Sequence, residues 1–248
     1  MNKDVHTVRR AVIMAAGVGS RMRPLTWSIP KPLVKVNGVR MIDSVIGALW
    51  ANGIREIYVV VGYRKEQFEE LPDRWPGLKL IENPLYETWN NLSSLYAARE
   101  HLEDCIILDG DQLIADPTVV SPGFTRSGYN AVWCEGKTNE WMLDVRDGII
   151  RRCSRNGGEH GWQLYSISRW SREDGRRLRE CAEREFERGS RDLYWDDVAL
   201  FRYPELFTLG IREMRREDVV EIDSLEELAA MDSSYLPLLD TMNGGSRE

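Results

Sequence analysis

Long apolar runs are missing from this 248-residue chain: no stretch of about 18 apolar residues occurs, so no membrane span is expected. The N-terminus shows no apolar core followed by a small-residue cleavage site, so no secretory leader is expected either. Cysteine is sparse. Cys105, Cys134, Cys153 and Cys181 stand far apart with no Cys-x-x-Cys pair, which excludes the usual zinc spacing and fits reduced thiols in a cytoplasm. His6, His101 and His160 form no metal-ligand or triad spacing. Repeats, low-complexity tracts and Pro/Gly/Ser-rich linkers are absent. A single domain over residues 1–242 is therefore expected, with a disordered tail over 243–248. Lysine is scarce as well, six in the whole chain.

What is present is ordinary for a globular protein, 42% hydrophobic and 29% charged, but the charge is unevenly placed. Residues 1–40 carry eight bases and one acid, a net of +7, and the remaining 208 residues carry a net of −14. An acidic body argues against nucleic-acid or anionic-membrane partners. A basic segment on that body points to a local anion site, with chance clustering on a solvated face as the plainer explanation.

Val8–Ala15, Glu56–Gly62, Leu78–Ile81 and Cys105–Leu108 read as buried strands. Helical spacing covers Met41–Trp50, stopped by Asn52-Gly53, and Asn91–His101. This alternation predicts an α/β fold with a largely parallel sheet. After about residue 128 the pattern changes. Asn130–Glu135 and Glu140–Arg146 read as strands joined by a turn, with more strand at Gln163–Ser168, Leu206–Met214 and Val219–Ile222. Ser171–Arg188 and Leu225–Met231 read as helices. A nucleotide-binding half (about 1–128) and an acceptor-binding half (about 129–242) are expected.

The most informative segment follows the first strand. Ala15, Ala16, Gly17, Gly19, Ser20 and Arg21 lie in the run AAGVGSRMRPLT. Two glycines let the backbone bend and approach a ligand, leaving N–H groups free for phosphate, and arginine adds charge-assisted bonds. The run is not a Walker loop, since Gly-Lys-Ser/Thr is missing, nor a dinucleotide fingerprint, since Met22 replaces the third glycine. Pro30-Lys31-Pro32-Leu33 comes next, with prolines stiffening the backbone around one of the few lysines.

AAGxGSRMxPLT followed by PKPL resembles the signature of the nucleotidyltransferases that make nucleotide sugars and related activated phosphates. The resemblance extends through Asp111 to Glu221-Ile222-Asp223. It implies a Rossmann-like three-layer α/β/α fold of the nucleotide-diphospho-sugar transferase type, with a mostly parallel mixed sheet. It also implies that the glycine loop and Arg21 hold the nucleotide phosphates and that Lys31 holds the α-phosphate and the acceptor phosphate. Mg²⁺ prefers one or two carboxylates with phosphate oxygens and water. Asp111, at the end of a buried strand, and Asp223 are the candidate ligands. Their plainer roles are a turn at Asp109–Asp111 and a helix cap at Asp223.

Three further strings, NNLSSL (with Asn91 and Ser94), TNEW (Glu140, Trp141) and LYWDD (Tyr194, Trp195, Asp196, Asp197), look like the bacterial CTP:phosphocholine cytidylyltransferases, a branch of the same family. Aromatic faces and carboxylates suit an ammonium head. By this resemblance, Trp141, Tyr194, Trp195, Asp196 and Asp197 surround it, with Glu140 alongside, and Asn91 and Ser94 are nucleotide-binding residues near the nucleotide or the acceptor. The plainer roles are core packing for the tryptophans and helix capping for Asn91 and Ser94. The substrates implied are CTP and phosphocholine. 2-Aminoethylphosphonate or phosphoethanolamine is the alternative, because a primary ammonium gains from carboxylates. A sugar-1-phosphate nucleotidyltransferase and a non-catalytic nucleotide-binding regulator stand further off. Residues 82–88 lack the glutamine-centred base-reading loop of many sugar branches, and Arg151–His160 receives no role. Oligomeric state, a homodimer included, stays open.

Overall fold

The computed structural model describes residues 5–239, so the tail expected over 243–248 lies outside the described residues. Nine strands form one mixed sheet: β1 Arg10–Ala15, β2 Glu56–Val61, β3 Leu78–Glu82, β4 Cys105–Asp109, β5 Gly128–Cys134, β6 Met142–Arg146, β7 Ile149–Ser154, β8 Gly161–Trp170 and β9 Gly210–Glu213. Their order is β5-β9-β7-β6-β8-β4-β1-β2-β3, with β5 also bonded to β8. Pairing is parallel across β3, β2, β1 and β4 and between β5 and β9, and antiparallel elsewhere. The ten-residue β8 joins the two halves, bonding to β4 at one end and β6 at the other.

β1, β2 and β4 are nearly continuous apolar runs because both sheet faces are covered there, while the edge strand β3 is partly exposed. In β1, Ala11, Ile13 and Ala15 pack with helix α1 (Met41–Ala51), while Val12 and Met14 face the opposite core. That second core includes α2 (Leu92–Ala97) and α3 (Arg172–Glu187). A smaller third core joins Met22, Val34 and Met41 to Ile222, Leu225 and Leu228. It fastens the first loop to the start of α4 (Leu225–Met231) and brings together residues about 200 positions apart.

The second half departs from expectation. β5 and β6 do not pair as a hairpin; each pairs with β8. The hairpin is instead β6–β7, closed at Asp147-Gly148, both with positive φ (54° and 70°), the conformation a two-residue hairpin turn needs. β7 runs into the Arg151–His160 segment that received no role, where Arg151 and Arg152 mask its alternation. The helix expected over Asn91–His101 stops at Ala97 and resumes as a 3₁₀ turn at Arg99–His101. Only Gly210–Glu213 of the 206–214 stretch is strand.

Candidate active site

Two adjoining cavities open beside the C-terminal ends of β1 and β4, of about 260 Å³ and 190 Å³. Lys31, Asn91, Asp109 and Asp111 stand on the walls of both. The smaller is lined by Ala15, Ala16, Gly17, Gly19 and Ser94. The bend in the loop falls on Gly19 (φ 61°), where a Cβ would sit 3.0 Å from the Lys31 Cβ. Gly17 has no such constraint, and a Cβ there would meet nothing within 4 Å. Thr26 Oγ1 donates to the Gly19 carbonyl at 2.8 Å, so the glycine loop and the lysine turn form one unit. Ser20 is exposed and lines neither cavity, because the chain turns outward there into the 3₁₀ segment Ser20–Met22.

Lys31 is buried, and its Nζ donates to Asp111 Oδ2 at 2.5 Å and Asp223 Oδ1 at 2.8 Å. Burial works against its charge, but the two carboxylates outweigh that and raise its pKa above the ordinary lysine value. Arg21, largely exposed, donates to the same Asp223 oxygen at 2.9 Å. Burial would raise Asp223, yet Lys31 and then Arg21 hold it below the usual carboxylate range. Of the plainer roles, the turn is present at Gly110–Asp111, while the helix cap is not made by Asp223. Ser224, not Asp223, caps α4 through a capping box with Glu227, and the Asp111 carboxylate reaches Lys31.

Sequence reasoning missed two further acids on the cavity wall, Asp109 and Glu221. Each lies two positions before an expected ligand: Asp109 is the last residue of β4, with Asp111 in the turn after it. Burial pushes Asp109 well above the carboxylate range, helped by Asp111 and Asp196. Burial also takes Glu221 up to about 7 despite a 2.8 Å bond from Gln112. No group of three or more His, Cys, Asp or Glu side chains forms a ready metal cage among the described residues. Asp111 and Asp223, held together by one lysine in an acid-rich cavity, do fit an oxygen-seeking divalent ion that keeps water and phosphate oxygens for its other positions.

At the far end of the larger cavity stand Glu140, Trp141, Tyr194 and Asp196. The Trp141 and Tyr194 rings meet edge to face, 5.7 Å apart at 87°. The NNLSSL and LYWDD strings lie together: Leu92 N donates to Leu193 O, and Asn91 Oδ1 accepts from Trp195 N at 2.7 Å. Asn91 therefore braces the 191–197 segment and makes no side-chain cap on α2. Ser94 Oγ accepts from Asn83 at 3.0 Å.

Two residues expected around the head group are elsewhere. Trp195 is fully buried in the core against Tyr129, and neither it nor Asp197 lines the cavity. Asp197 is buried, accepting from Tyr194 N at 2.8 Å and pairing with Arg155. The chain turns at Tyr194–Asp197, so consecutive residues there face different ways. Arg155, from the segment given no role, lies over Trp141 and Phe201 at 5.0 and 4.5 Å. Of the two acids, Asp196 is on the wall. Ser166 lies 3.5 Å from its Oδ2, and Oδ1 has no hydrogen-bond partner. The Tyr129 hydroxyl is beside this carboxyl but makes no bond of ordinary geometry. Burial pushes Asp196 up to about 8, against the influence of Tyr129 and with that of Asp197.

A glycine loop after the first strand, a lysine shared by two cavities and paired strand-end carboxylates define a nucleotidyltransferase site. Comparison with known proteins agrees. The model of the MobA-like NTP transferase domain matches residues 11–189, and the chain belongs to that family. It is 42% identical over 233 residues to the 2-aminoethylphosphonate cytidylyltransferase of Lancefieldella rimae, covering 92% of this chain and 94% of that one. It is 33% identical over 219 residues to the choline-phosphate cytidylyltransferase of Streptococcus pneumoniae, covering 88% and 94%. Among solved structures, the CTP:phosphocholine cytidylyltransferase of Streptococcus pneumoniae superposes with a TM-score of 0.83 at 31% identity, over 91% of this chain and 99% of that one.

Proposed function

We propose that this protein is a Mg²⁺-dependent cytidylyltransferase that transfers CMP from CTP to 2-aminoethylphosphonate, releasing pyrophosphate in the cytoplasm. The observation that carries the choice of acceptor is Asp196, a buried carboxyl group on the cavity wall whose oxygens pair with no basic side chain among the described residues. A primary ammonium can donate to such an oxygen, whereas a trimethylammonium cannot and gains more from an aromatic cage. The expected cage is reduced: Trp195 is in the core, and Arg155 covers one face of Trp141, so Trp141 and Tyr194 are the aromatic side chains left on the cavity wall. The 42% identical relative, a 2-aminoethylphosphonate cytidylyltransferase, supports the same order, which places 2-aminoethylphosphonate ahead of the phosphocholine first expected.

A phosphonate oxygen attacks the α-phosphorus of CTP, the bond from that phosphorus to the bridging oxygen breaks, and pyrophosphate leaves. The nucleophile is already an anion, so no strong base is needed, and the difficulty is bringing two anions together. Lys31, on both walls, is placed to neutralise charge between them. Ala15–Gly19 offers backbone N–H groups to the triphosphate, with Arg21 at its edge. Asp111 and Asp223 are the residues that would hold Mg²⁺, which when bound supplies further neutralisation of the phosphate oxygens. Asp196, Glu140, Trp141 and Tyr194 orient the ammonium end.

The test is pyrophosphate release with CTP, Mg²⁺ and each acceptor in turn. kcat/KM is expected to be at least about tenfold higher with 2-aminoethylphosphonate than with phosphocholine or phosphoethanolamine, a difference of about 1.4 kcal/mol. Equal or better turnover of phosphocholine overturns the choice of acceptor. Turnover of glucose 1-phosphate alone makes this a sugar-phosphate enzyme, and CTP binding without pyrophosphate release makes it a regulator.

A further inference from the structure

A third cavity, of about 440 Å³, lies away from the site just described. β8 runs antiparallel to β4, with Arg169 opposite Ile106 near the start of β4, whereas the acids of the candidate active site begin at its other end with Asp109. Arg126, Arg169 and Arg212 line this cavity, with Asp147 as the one acid on its wall. The floor is backbone: Gly128 and Gly210 pair so closely that a Cβ on Gly128 would collide with the Gly210 carbonyl at 1.9 Å.

Arg169 is 2% exposed. It donates from Nε to Ser121 O at 3.0 Å, from Nη1 to Asn130 Oδ1 at 2.8 Å and from Nη2 to Val119 O at 2.5 Å. Arg212 donates to Ser121 Oγ at 2.5 Å and to the carbonyls of Gly123 and Thr118 at 3.3 and 3.4 Å. These bonds tie down the 118–123 segment, but every acceptor is neutral. Among the described residues no carboxylate pairs with Arg126, Arg169 or Arg212. Burial and the neighbouring Arg212 pull Arg169 down to about 9, and burial lowers Arg212 as well. The buried Lys31, by contrast, is matched by two acids. A buried cation without a counter-ion is costly, and the three bonds leave two of the five guanidinium N–H groups of Arg169 over. The positive charge itself is left without a purpose inside the chain.

We propose that this cavity is a second anion site, separate from the catalytic one, that binds a small phosphate-bearing molecule on the guanidinium groups of Arg126, Arg169 and Arg212. Planar guanidinium forks match phosphate oxygens, and the glycine floor lets the ligand approach the backbone.

The test follows the arginine Nε–H signals by ¹H–¹⁵N NMR in the full-length protein during separate titrations with inorganic phosphate and CMP. The Arg169 signal is assigned by its loss in Arg169→Gln or, if that variant does not fold, by its contact with Asn130 and Ser121. A saturable shift of Arg169 is expected, weakened at least about tenfold in Arg126→Gln or Arg212→Gln. The exposed Arg126 makes no hydrogen bond to the fold among the described residues, so its variant keeps the structure, and pyrophosphate release at low phosphate should stay at the wild-type rate in both. A response to phosphate and CMP alike identifies a general phosphate site, and a response to CMP alone a nucleotide site. The absence of any saturable shift at Arg169, or unchanged affinity in both variants, overturns the proposal. Its failure leaves the cytidylyltransferase reading intact, since that rests on turnover.

Discussion

Lys31 shows how much one side chain can be asked to do. It is buried, carries two carboxylates and stands on both cavities. Its raised pKa keeps it charged throughout the neutral range. If it neutralises charge in the transition state, Lys31→Ala should lower kcat by about 10²–10³-fold, the usual loss for one such donor, while circular dichroism stays that of the wild type. Activity within a fewfold of normal would remove it from the reaction. Lys31, Asp111 and Asp223 were legible because a motif with fixed spacing, framed by prolines, marks them. Trp195 and Asp197 were not, because a string such as LYWDD names residues without saying which way a tight turn points them. Tyr194 and Asp196 came out on the cavity, Trp195 and Asp197 in the layer behind.

At the scale of elements, strand identity came through wherever helices cover both faces and the run is apolar throughout. β1, β2 and β4 fall within a few residues of expectation, and so does the partly exposed edge strand β3, which its apolar Leu78, Leu80 and Ile81 mark. β7 was hidden by its outward arginines, although Asp147-Gly148 was a readable hairpin turn. The π-helical turn Val198–Arg202 has no local sequence mark. The first loop separates two meanings of glycine. Gly19 needs its left-handed φ and its contact with Lys31. Gly19→Ala should therefore lower stability by about 1–2 kcal/mol and reduce kcat/KM for CTP by displacing the lysine. Gly17→Ala meets nothing within 4 Å and should leave thermal stability unchanged. Paired denaturation and kinetic measurements check both, and equal stability losses in the two variants would deny Gly19 its special place.

At the scale of the whole molecule, the basic start and acidic remainder of the chain meet in one site, where Lys31 and Arg21 face Asp111 and Asp223. Acids outnumber bases there, and that has a consequence for stability. Burial raises Asp196 from an ordinary 3.8 to about 8 and Glu221 from 4.5 to about 7, and raises Asp109 as well. Between the ordinary and raised values the folded chain holds protons that the unfolded chain has released. Stability must then fall as pH rises from about 5 to about 8, by at most about 1.4 kcal/mol per pH unit for each group. Acids with lowered values, such as Asp223 and Asp218, act only below about pH 4 and do not disturb this window. The ligand-free enzyme should therefore show a Tm that declines from about pH 6 to about pH 8. Asp196→Asn should flatten that decline and be the more stable protein at about pH 8, while losing kcat/KM for the ammonium-bearing acceptor. Calorimetry on both proteins across this range decides it. A wild-type Tm that is flat or rising, or an unchanged slope in the variant, would mean that the Asp196 carboxyl is not the buried, proton-holding group the geometry describes.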